Sequence, residues 1–590
     1  MTKTWRYDLL LLFAAVGLLF GLGLGARPYL TPSEARYIEI PRQMLATGDW
    51  LTPRINGVPY FEKPPLFYWM QATAMRAFGD GEFAGRLVTA LFSTLTCLLT
   101  YATGRMMFGR LSGLLAAGAL ATSLMGYGLS RVATLDVPVS FFITSCMACF
   151  WAAQPASPSP PAGEGRGGGA LAMNSGPSQL GEPPHPNPPP QGGREFYLLM
   201  YIFSALAVMT KGLIGIVVPG LVIGTWIAIT GQWRILREAR LATGLVVFLL
   251  ITAPWHIAMA RTHPDFLNFY FIHEHVTRYL TDEHKRTAPW WFFIVVTLAG
   301  LLPWATLPPL PPGEGPPDGN GFHADRPSPQ GRGGREFLYL WILLPLLFFS
   351  SSHSKLIPYI FPIFPPLCIL IGNRLALLWT QSVPVKPLRL GAALTVALWA
   401  ALILASQLLP ILPGKLGQKV SAVSSQIPLV SLYPLMLALL WVAYAAWRSS
   451  PKRLILALMG LGAVTGVSAN YLAASLDTAS IKPLAESLRP RLRDGDMVVA
   501  YGSYWQDLPV YLRRNVTVAG WTGELTFGVE HYPQTHAWMM TTDEFRQRCA
   551  GAQRLYVFVR ENAAATLPET CRLQLAAAYG KTLLFERTTP

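Results

Sequence analysis

Leu241-Ala242-Thr243-Gly244-Leu245-Val246-Val247-Phe248-Leu249-Leu250-Ile251-Thr252-Ala253-Pro254-Trp255-His256-Ile257-Ala258-Met259-Ala260 is a run of twenty residues without one Asp, Glu, Lys or Arg. At 1.5 Å per residue a helix of that length crosses roughly 30 Å of hydrocarbon. Inside lipid every peptide group must be bonded within the protein, so the run reads as a membrane-spanning helix. Moving outward in both directions, about thirteen apolar windows follow the same logic. They lie near 8–26, 84–107, 111–130, 133–152, 196–210, 212–230, 241–260, 289–307, 336–350, 355–373, 388–409, 430–448 and 453–474.

The whole chain agrees with that reading. Its 590 residues are 52% hydrophobic and only 13% charged, with 18 Trp. Globular soluble proteins carry about a quarter charged residues. Disorder over most of the length is excluded by the hydrophobicity, and a disulfide scaffold by the 6 Cys. The fold class is therefore mainly α, a polytopic helical bundle. The first window ends in Gly21, Gly23, Gly25 and then Ala26-Arg27-Pro28, with no small-x-small cleavage pattern. It reads as a retained helix whose glycines admit a close neighbour, not as a cleaved signal.

Basic residues orient the bundle, because short cytoplasmic loops are rich in them. Lys3 and Arg6 precede the first window, Arg105 and Arg110 follow the second, and Arg234, Arg237 and Arg240 follow the sixth. Arg374, Lys386 and Arg389 follow the tenth, and Arg448, Lys452 and Arg453 the twelfth. All five clusters share one side if the N-terminus is cytoplasmic and thirteen spans are crossed. Residues 475–590 then lie outside. Met497–Tyr501 and Leu555–Val559 are short β-like runs, and amphipathic stretches such as Asp543–Cys549 accompany them. The expected division is a transmembrane domain over 1–474 and a small α/β domain over 475–590. Cys549 and Cys571 in that tail can pair in an oxidising compartment.

Two segments, 154–194 and 308–335, hold much of the 50 Pro and 52 Gly. Both contain Pro-Pro followed shortly by Gly-Glu-Gly, and both close on Gly-Gly-Arg-Glu-Phe, with dissimilar middles. They read as one repetitive element inserted twice into cytoplasmic loops, unable to bury a core. A proline-rich docking loop is the rival reading.

The outer face gathers the residues able to do chemistry. The first outer loop runs Pro32-Ser33-Glu34-Ala35-Arg36-Tyr37-Ile38-Glu39 and on through Met44, Gly48-Asp49-Trp50, the turn Asn56-Gly57, and Tyr60-Phe61-Glu62-Lys63-Pro64-Pro65-Leu66. Its charge spacing suits a short interfacial helix with Ile38 and Met44 toward lipid. Asp136 begins a span, where an ionisable residue is costly. Lys211 ends another. His273-Glu274-His275-Val276-Thr277-Arg278 places imidazole, carboxylate and guanidinium together, and Ser354-Lys355-Leu356-Ile357-Pro358-Tyr359 adds a cation and a phenol. Several cations among a few carboxylates suit a phosphate at the membrane surface. As solvated loop charges and interface anchors, the same residues would be merely structural.

These motifs, in this order, resemble the bacterial aminoarabinose transferases of lipid A and the related protein O-mannosyltransferases, polyprenyl-phosphate-dependent integral-membrane glycosyltransferases of GT-C type. The resemblance covers about 30–375 without the insertions, and the tail adds little to it. It implies inverting transfer of a sugar from undecaprenyl phosphate to a periplasmic acceptor, either lipid A or a related glycolipid phosphate, among membrane lipids. By matching position, Lys63 and Arg278 would hold the donor phosphate, helped by Arg36, Lys355 and Tyr359. Glu62 and His273 would be ligands of a divalent metal, Zn or Mg/Mn. Asp136 would face the sugar or the acceptor.

One position departs from the family. The first loop there begins Asp-Glu, and here Ser33 stands in place of the Asp. Serine is a poor general base, so Glu34 or Asp136 takes the catalytic role, or no base is needed. The last option fits an acceptor phosphate, which is already ionised, and Ser33 thereby favours an anionic acceptor over a hydroxyl. Other readings are a protein or glycan O-glycosyltransferase of the same family, a transporter of lipid-linked sugar, and an inactive binder. Against the transporter, no repeated halves are visible. The net charge of +15 needs no nucleic acid, and no nucleic-acid motif occurs.

Overall fold

The run that opened the sequence forms one helix, Leu241–Thr262. In the computed structural model of the protein the described residues are 3–154, 193–277, 287–307, 331–380, 385–408, 433–448, 450–475, 480–551 and 554–588. Each of the thirteen apolar windows contains helix. Eight helices are long and apolar enough to cross a membrane: Lys3–Gly21, Glu82–Phe108, Asp136–Ala153, Leu241–Thr262, Gly333–Ser351, Ile357–Trp379, Lys386–Leu404 and Pro451–Ala474. The chain is thus a polytopic membrane protein.

Three windows are broken, each for a local reason. Window 111–130 splits at Ser123, whose Oγ accepts the Gly126 N–H at 3.0 Å and caps a new short helix, Leu124–Leu129. Window 289–307 is α-helical over Phe292–Gly300 and, after Pro303, ends in a 3-10 turn, Trp304–Thr306. Window 355–373 opens as a 3-10 turn, Ile357–Ile363, carrying Pro358 and Pro362, and then becomes Phe364–Trp379. Tight packing at the bundle centre relies on small residues. A Cβ on Gly372 would lie 2.5 Å from the Ser112 carbonyl oxygen, so Phe364–Trp379 and Arg110–Thr122 nearly touch backbone to backbone.

The glycines after the first helix lie in a turn that admits a close neighbour, as expected. The helix ends at Gly21, and Gly23 beyond it has φ +65°. Its carbonyl accepts from the Asn470 side chain at 3.1 Å, and a Cβ there would lie 2.8 Å from the Tyr471 hydroxyl, so the helix Pro451–Ser475 approaches closely at this glycine. The insertions need trimming. Helices begin at Gly193 and Gly331, inside the expected boundaries of 194 and 335. The remainder, 155–192 and 308–330, lies outside the described residues.

The tail builds a six-stranded sheet. Numbering the hairpin strands Arg54–Ile55 and Val58–Pro59 as β1 and β2, the sheet consists of β3 Met497–Tyr501, β4 Thr517–Ala519, β5 Met539–Met540, β6 Arg554–Arg560, β7 Gln574–Tyr579 and β8 Thr582–Thr588. The order is β5-β4-β3-β6-β8-β7, parallel from β5 to β6 and antiparallel after that. Alternation along β3 and β6 sends side chains to two cores. Val499, Tyr501, Leu555, Val557 and Val559 pack on one face, beside a disulfide between Cys549 and Cys571 with Cα atoms 5.2 Å apart. Val498, Ala500, Tyr556 and Phe558 pack on the other.

That second face meets the first outer loop and corrects one expectation. Ala35–Thr47 is a helix, but Ile38 and Met44 are buried in the core shared with β3 and β6, not turned to lipid. The hairpin joins them: Asn56 and Gly57, both at positive φ, form the two-residue turn between β1 and β2. The Asn56 side chain donates to the Val516 carbonyl and accepts the Val516 N–H, both at 2.8 Å. The Trp538 indole N–H donates to the Asn56 carbonyl at 2.8 Å.

Candidate active site

Two antiparallel neighbours set the site. Asp136 opens the helix Asp136–Ala153 and Lys211 closes Gly193–Lys211, so each charge sits at the helix end whose dipole suits it. The Lys211 ammonium binds an Asp136 carboxylate oxygen directly. It also lies over the Tyr359 ring, 4.2 Å from the centroid. Thr134 Oγ1 donates to the other Asp136 oxygen at 2.8 Å.

A second pair stands across from it. Lys63 follows the hairpin, and Pro64-Pro65 stiffen the link to the helix Leu66–Phe78. Its Nζ donates to Glu274 Oε2 at 3.0 Å and to the Glu62 carbonyl at 2.8 Å. Glu274 sits in a π-helical turn, Asn268–Thr277, a geometry concentrated at functional sites. Both pairs line one cavity of about 470 Å³, together with Ser140, Ser352 and apolar side chains such as Ile143 and Phe348. Two lysines, two carboxylates, a phenol and an apolar wall can take a phosphate that carries a lipid chain.

Of the residues expected from sequence, Lys63, Asp136 and Tyr359 meet here. Others do not. Glu34 is fully buried away from the cavity and is held by Arg86 Nε at 2.7 Å and Nη2 at 2.9 Å. It accepts further N–H groups from Ala133 at 2.8 Å and Leu30 at 3.0 Å. Burial alone would raise its pKa, but Arg86, Arg27 and the Ala133 N–H hold it below the usual carboxylate range. A carboxylate so fully bonded has no lone pair for a substrate proton, so Glu34 is an anchor and not a base. Ser33 is exposed in the turn before it and is not among the cavity residues.

Arg36 is drawn the other way, into an ion pair with Glu524 at 2.7 Å. It ties the first loop to the tail and does not line the cavity. Lys355 is buried with its Nζ donating to the carbonyls of Ser352 at 2.6 Å and Ala288 at 3.1 Å. It organises the loop that carries Ser352. Arg278 lies outside the described residues. His273 stacks on Phe269 with centroids 5.0 Å apart, and Glu62 is buried beside Lys63. Among the described residues no three His, Cys, Asp or Glu side chains gather to hold a metal, so nothing completes a ligand set for these two.

Lys211 and Glu274 were visible in the sequence but carried no assigned role. Their signal was position, a cation closing one span and a carboxylate between two histidines, and neither names a partner 75 or 211 residues away.

Known proteins resemble this chain in sequence and fold. The family described as dolichyl-phosphate-mannose-protein mannosyltransferase matches residues 8–162, and the aminoarabinose transferase C-terminal domain matches residues 484–576. The second match extends the likeness into the tail, where the sequence motifs had added little. An undecaprenyl phosphate-alpha-4-amino-4-deoxy-L-arabinose arabinosyl transferase of Edwardsiella ictaluri is 31% identical over 58% of this chain, which spans 54% of that relative's length. A protein of the same name from Sodalis glossinidius is 29% identical, with 91% of this chain and 90% of the relative aligned. The crystal structure of ArnT from Cupriavidus metallidurans bound to undecaprenyl phosphate superposes with a TM-score of 0.79 at 25% identity, covering 99% of this chain and 98% of that one. At both ends of its sequence the chain is similar to the aminoarabinose transferases and their relatives, and over its whole length it has the GT-C membrane glycosyltransferase fold of ArnT.

Proposed function

We propose that this protein is an inverting glycosyltransferase that moves a sugar from an undecaprenyl-phosphate donor to a periplasmic acceptor, a glycolipid phosphate such as that of lipid A. The observation that carries this reading is the pairing of Lys63 and Lys211 in one apolar-walled cavity. The relatives' names supply the donor class, since they are arabinosyl transferases of undecaprenyl phosphate sugars.

The chemistry follows from the charges. An acceptor phosphate oxygen attacks the anomeric carbon from the side opposite the lipid phosphate. The bond from that carbon to the phosphate oxygen breaks, and the lipid phosphate leaves with the electron pair. Lys63 stabilises the charge that grows on it, a preorganised cation where charge develops. Tyr359 and Arg278 are assigned to the same phosphate. Asp136, paired with Lys211, accepts hydrogen bonds from the sugar and fixes its anomeric carbon in line. No base is required, because an acceptor phosphate carries no proton that must be removed. No step is routed through a metal.

The five basic clusters support an N-terminus in the cytoplasm and a cavity and tail in the periplasm. The division into a membrane domain, 1–474, and a periplasmic domain, 475–590, belongs to the same proposal. Proteoliposomes with labelled donor test it: transfer with release of undecaprenyl phosphate is expected. Movement of the donor across the bilayer without bond cleavage would show a transporter instead. Ser33→Asp tests the acceptor class, and a large gain toward hydroxyl acceptors with phosphate acceptors inert throughout would refute the phosphate.

A further inference from the structure

Lys63 is already occupied by an anion that belongs to the protein. Its Nζ is 3.0 Å from Glu274 Oε2, and the Glu274 side chain is 1% exposed, so the carboxylate has no route to relax into bulk water. An ammonium has three donors, and here two point to Glu274 and to the Glu62 carbonyl. A phosphate arriving at Lys63 therefore meets a like charge within a few ångström, which raises the cost of binding any second anion there. Asp136 cannot relieve this by taking the lysine, because it is engaged with Lys211. Among the described residues the four charged groups of the cavity, two lysines and two carboxylates, form two ion pairs.

We infer that Glu274 is an affinity-determining residue of the reaction: it competes with the lipid phosphate for Lys63 and so limits how tightly the product is held. This rests on the reading that a lipid phosphate binds at Lys63. The donor phosphate is linked to both sugar and lipid and carries one charge. After transfer it is a monoester with a charge between one and two near neutral pH, as for other phosphate monoesters. The product is thus the better ligand for a lysine, and an enzyme facing it must let go. A resident carboxylate on the same ammonium weakens the product most and replaces it on departure.

The sign of the effect separates this role from a structural one. If Glu274 merely positions Lys63, removing its charge weakens phosphate binding. If it competes, removing its charge strengthens binding. The full-length protein in proteoliposomes is assayed with undecaprenyl phosphate as inhibitor and with labelled donor as substrate. Glu274→Gln is expected to tighten the inhibition constant of undecaprenyl phosphate about tenfold, the scale of one charged hydrogen bond. Donor KM falls less, and kcat falls as release slows. Glu274→Asp, which keeps the charge on a shorter arm, gives an intermediate constant and covers the case in which the Gln variant fails to fold.

Unchanged or weaker inhibition in either folded variant overturns the inference. The companion variant Lys63→Met separates two failures. If it leaves undecaprenyl phosphate binding unchanged, the phosphate assignment itself falls and this inference with it. If it abolishes binding while Glu274→Gln fails to tighten, only the competitor role is lost. In the double variant the tightening is expected to vanish.

Discussion

Two sets of ion pairs on the outer face use the same chemistry for opposite ends. The Glu34–Arg86 pair is wholly enclosed: both side chains are 0% exposed, and Arg86 also donates to the carbonyls of Leu24, Arg27 and Pro28. Lys63–Glu274 and Asp136–Lys211 each border a cavity. In the first set every lone pair and donor has a fixed partner, so the pair is a rivet that pulls the first loop onto the bundle. In the second set a ligand can take a partner's place. What makes a charged residue functional here is an adjoining void, not burial or charge alone.

That distinction can be broken by mutation. Arg86→Met strands the Glu34 carboxylate in the interior, which typically costs about 3–5 kcal/mol. We expect loss of folded protein in detergent thermal melts, and a stable but inactive variant would erase the line between the two sets. Lys63→Met strands Glu274 beside the cavity, so its melt should fall less than that of Arg86→Met, while donor KM rises roughly 10- to 100-fold, about 1.5–3 kcal/mol for a hydrogen bond to a charged group. Asp136→Asn should lower kcat about tenfold. Adding Lys211→Met should restore part of the stability, since an emptied pair costs less than a stranded member. Non-recovery in that double-mutant cycle would mean the two charges act independently.

The smallest effect concerns pH. His263 bonds Thr52 Oγ1 at 3.0 Å and the Tyr532 hydroxyl at 2.6 Å, linking the first loop to the tail. Burial, and next the Arg54 charge, lower its pKa below the usual 6.5. A depressed value in the folded state gives stability that is complete above 6.5 and is lost as pH falls through the folded pKa. His263→Gln should remove this early acid softening and leave the later loss, when Glu34 protonates below its own lowered pKa. Melting profiles against pH in which the variant keeps the softening below pH 6.5 would refute the assignment.

The bundle was legible because length and apolarity suffice to identify a span. Its interruptions were less so. Ser123 looks like any polar residue in a helix until its hydroxyl is seen capping Gly126. The amphipathic spacing of Ile38 and Met44 told which side chains seek an apolar environment, but lipid and a protein core satisfy periodicity equally. Lys63, Asp136 and Tyr359 could be grouped from the sequence because motif order marked them, and they line one cavity. Glu34 was misjudged because its partner, Arg86, lies 52 residues away in a span whose sequence gives no pairing signal. Arg36 failed likewise, claimed by Glu524 in the tail.

The exchange between Asn56 and Val516 carries a cost in time. These residues are 460 positions apart, and the amide of Asn56 bonds both ways to the backbone just ahead of β4. At about 5–20 residues per second the ribosome needs roughly half a minute to a minute and a half to deliver Val516 after Asn56 has emerged. During that interval Ile38, Met44 and Tyr60 have no cover, and the hairpin has no clasp. The outer loop is the first part of the site to be made and the last to be finished, so the interval of exposure to proteases and holding chaperones is set by translation as well as by stability.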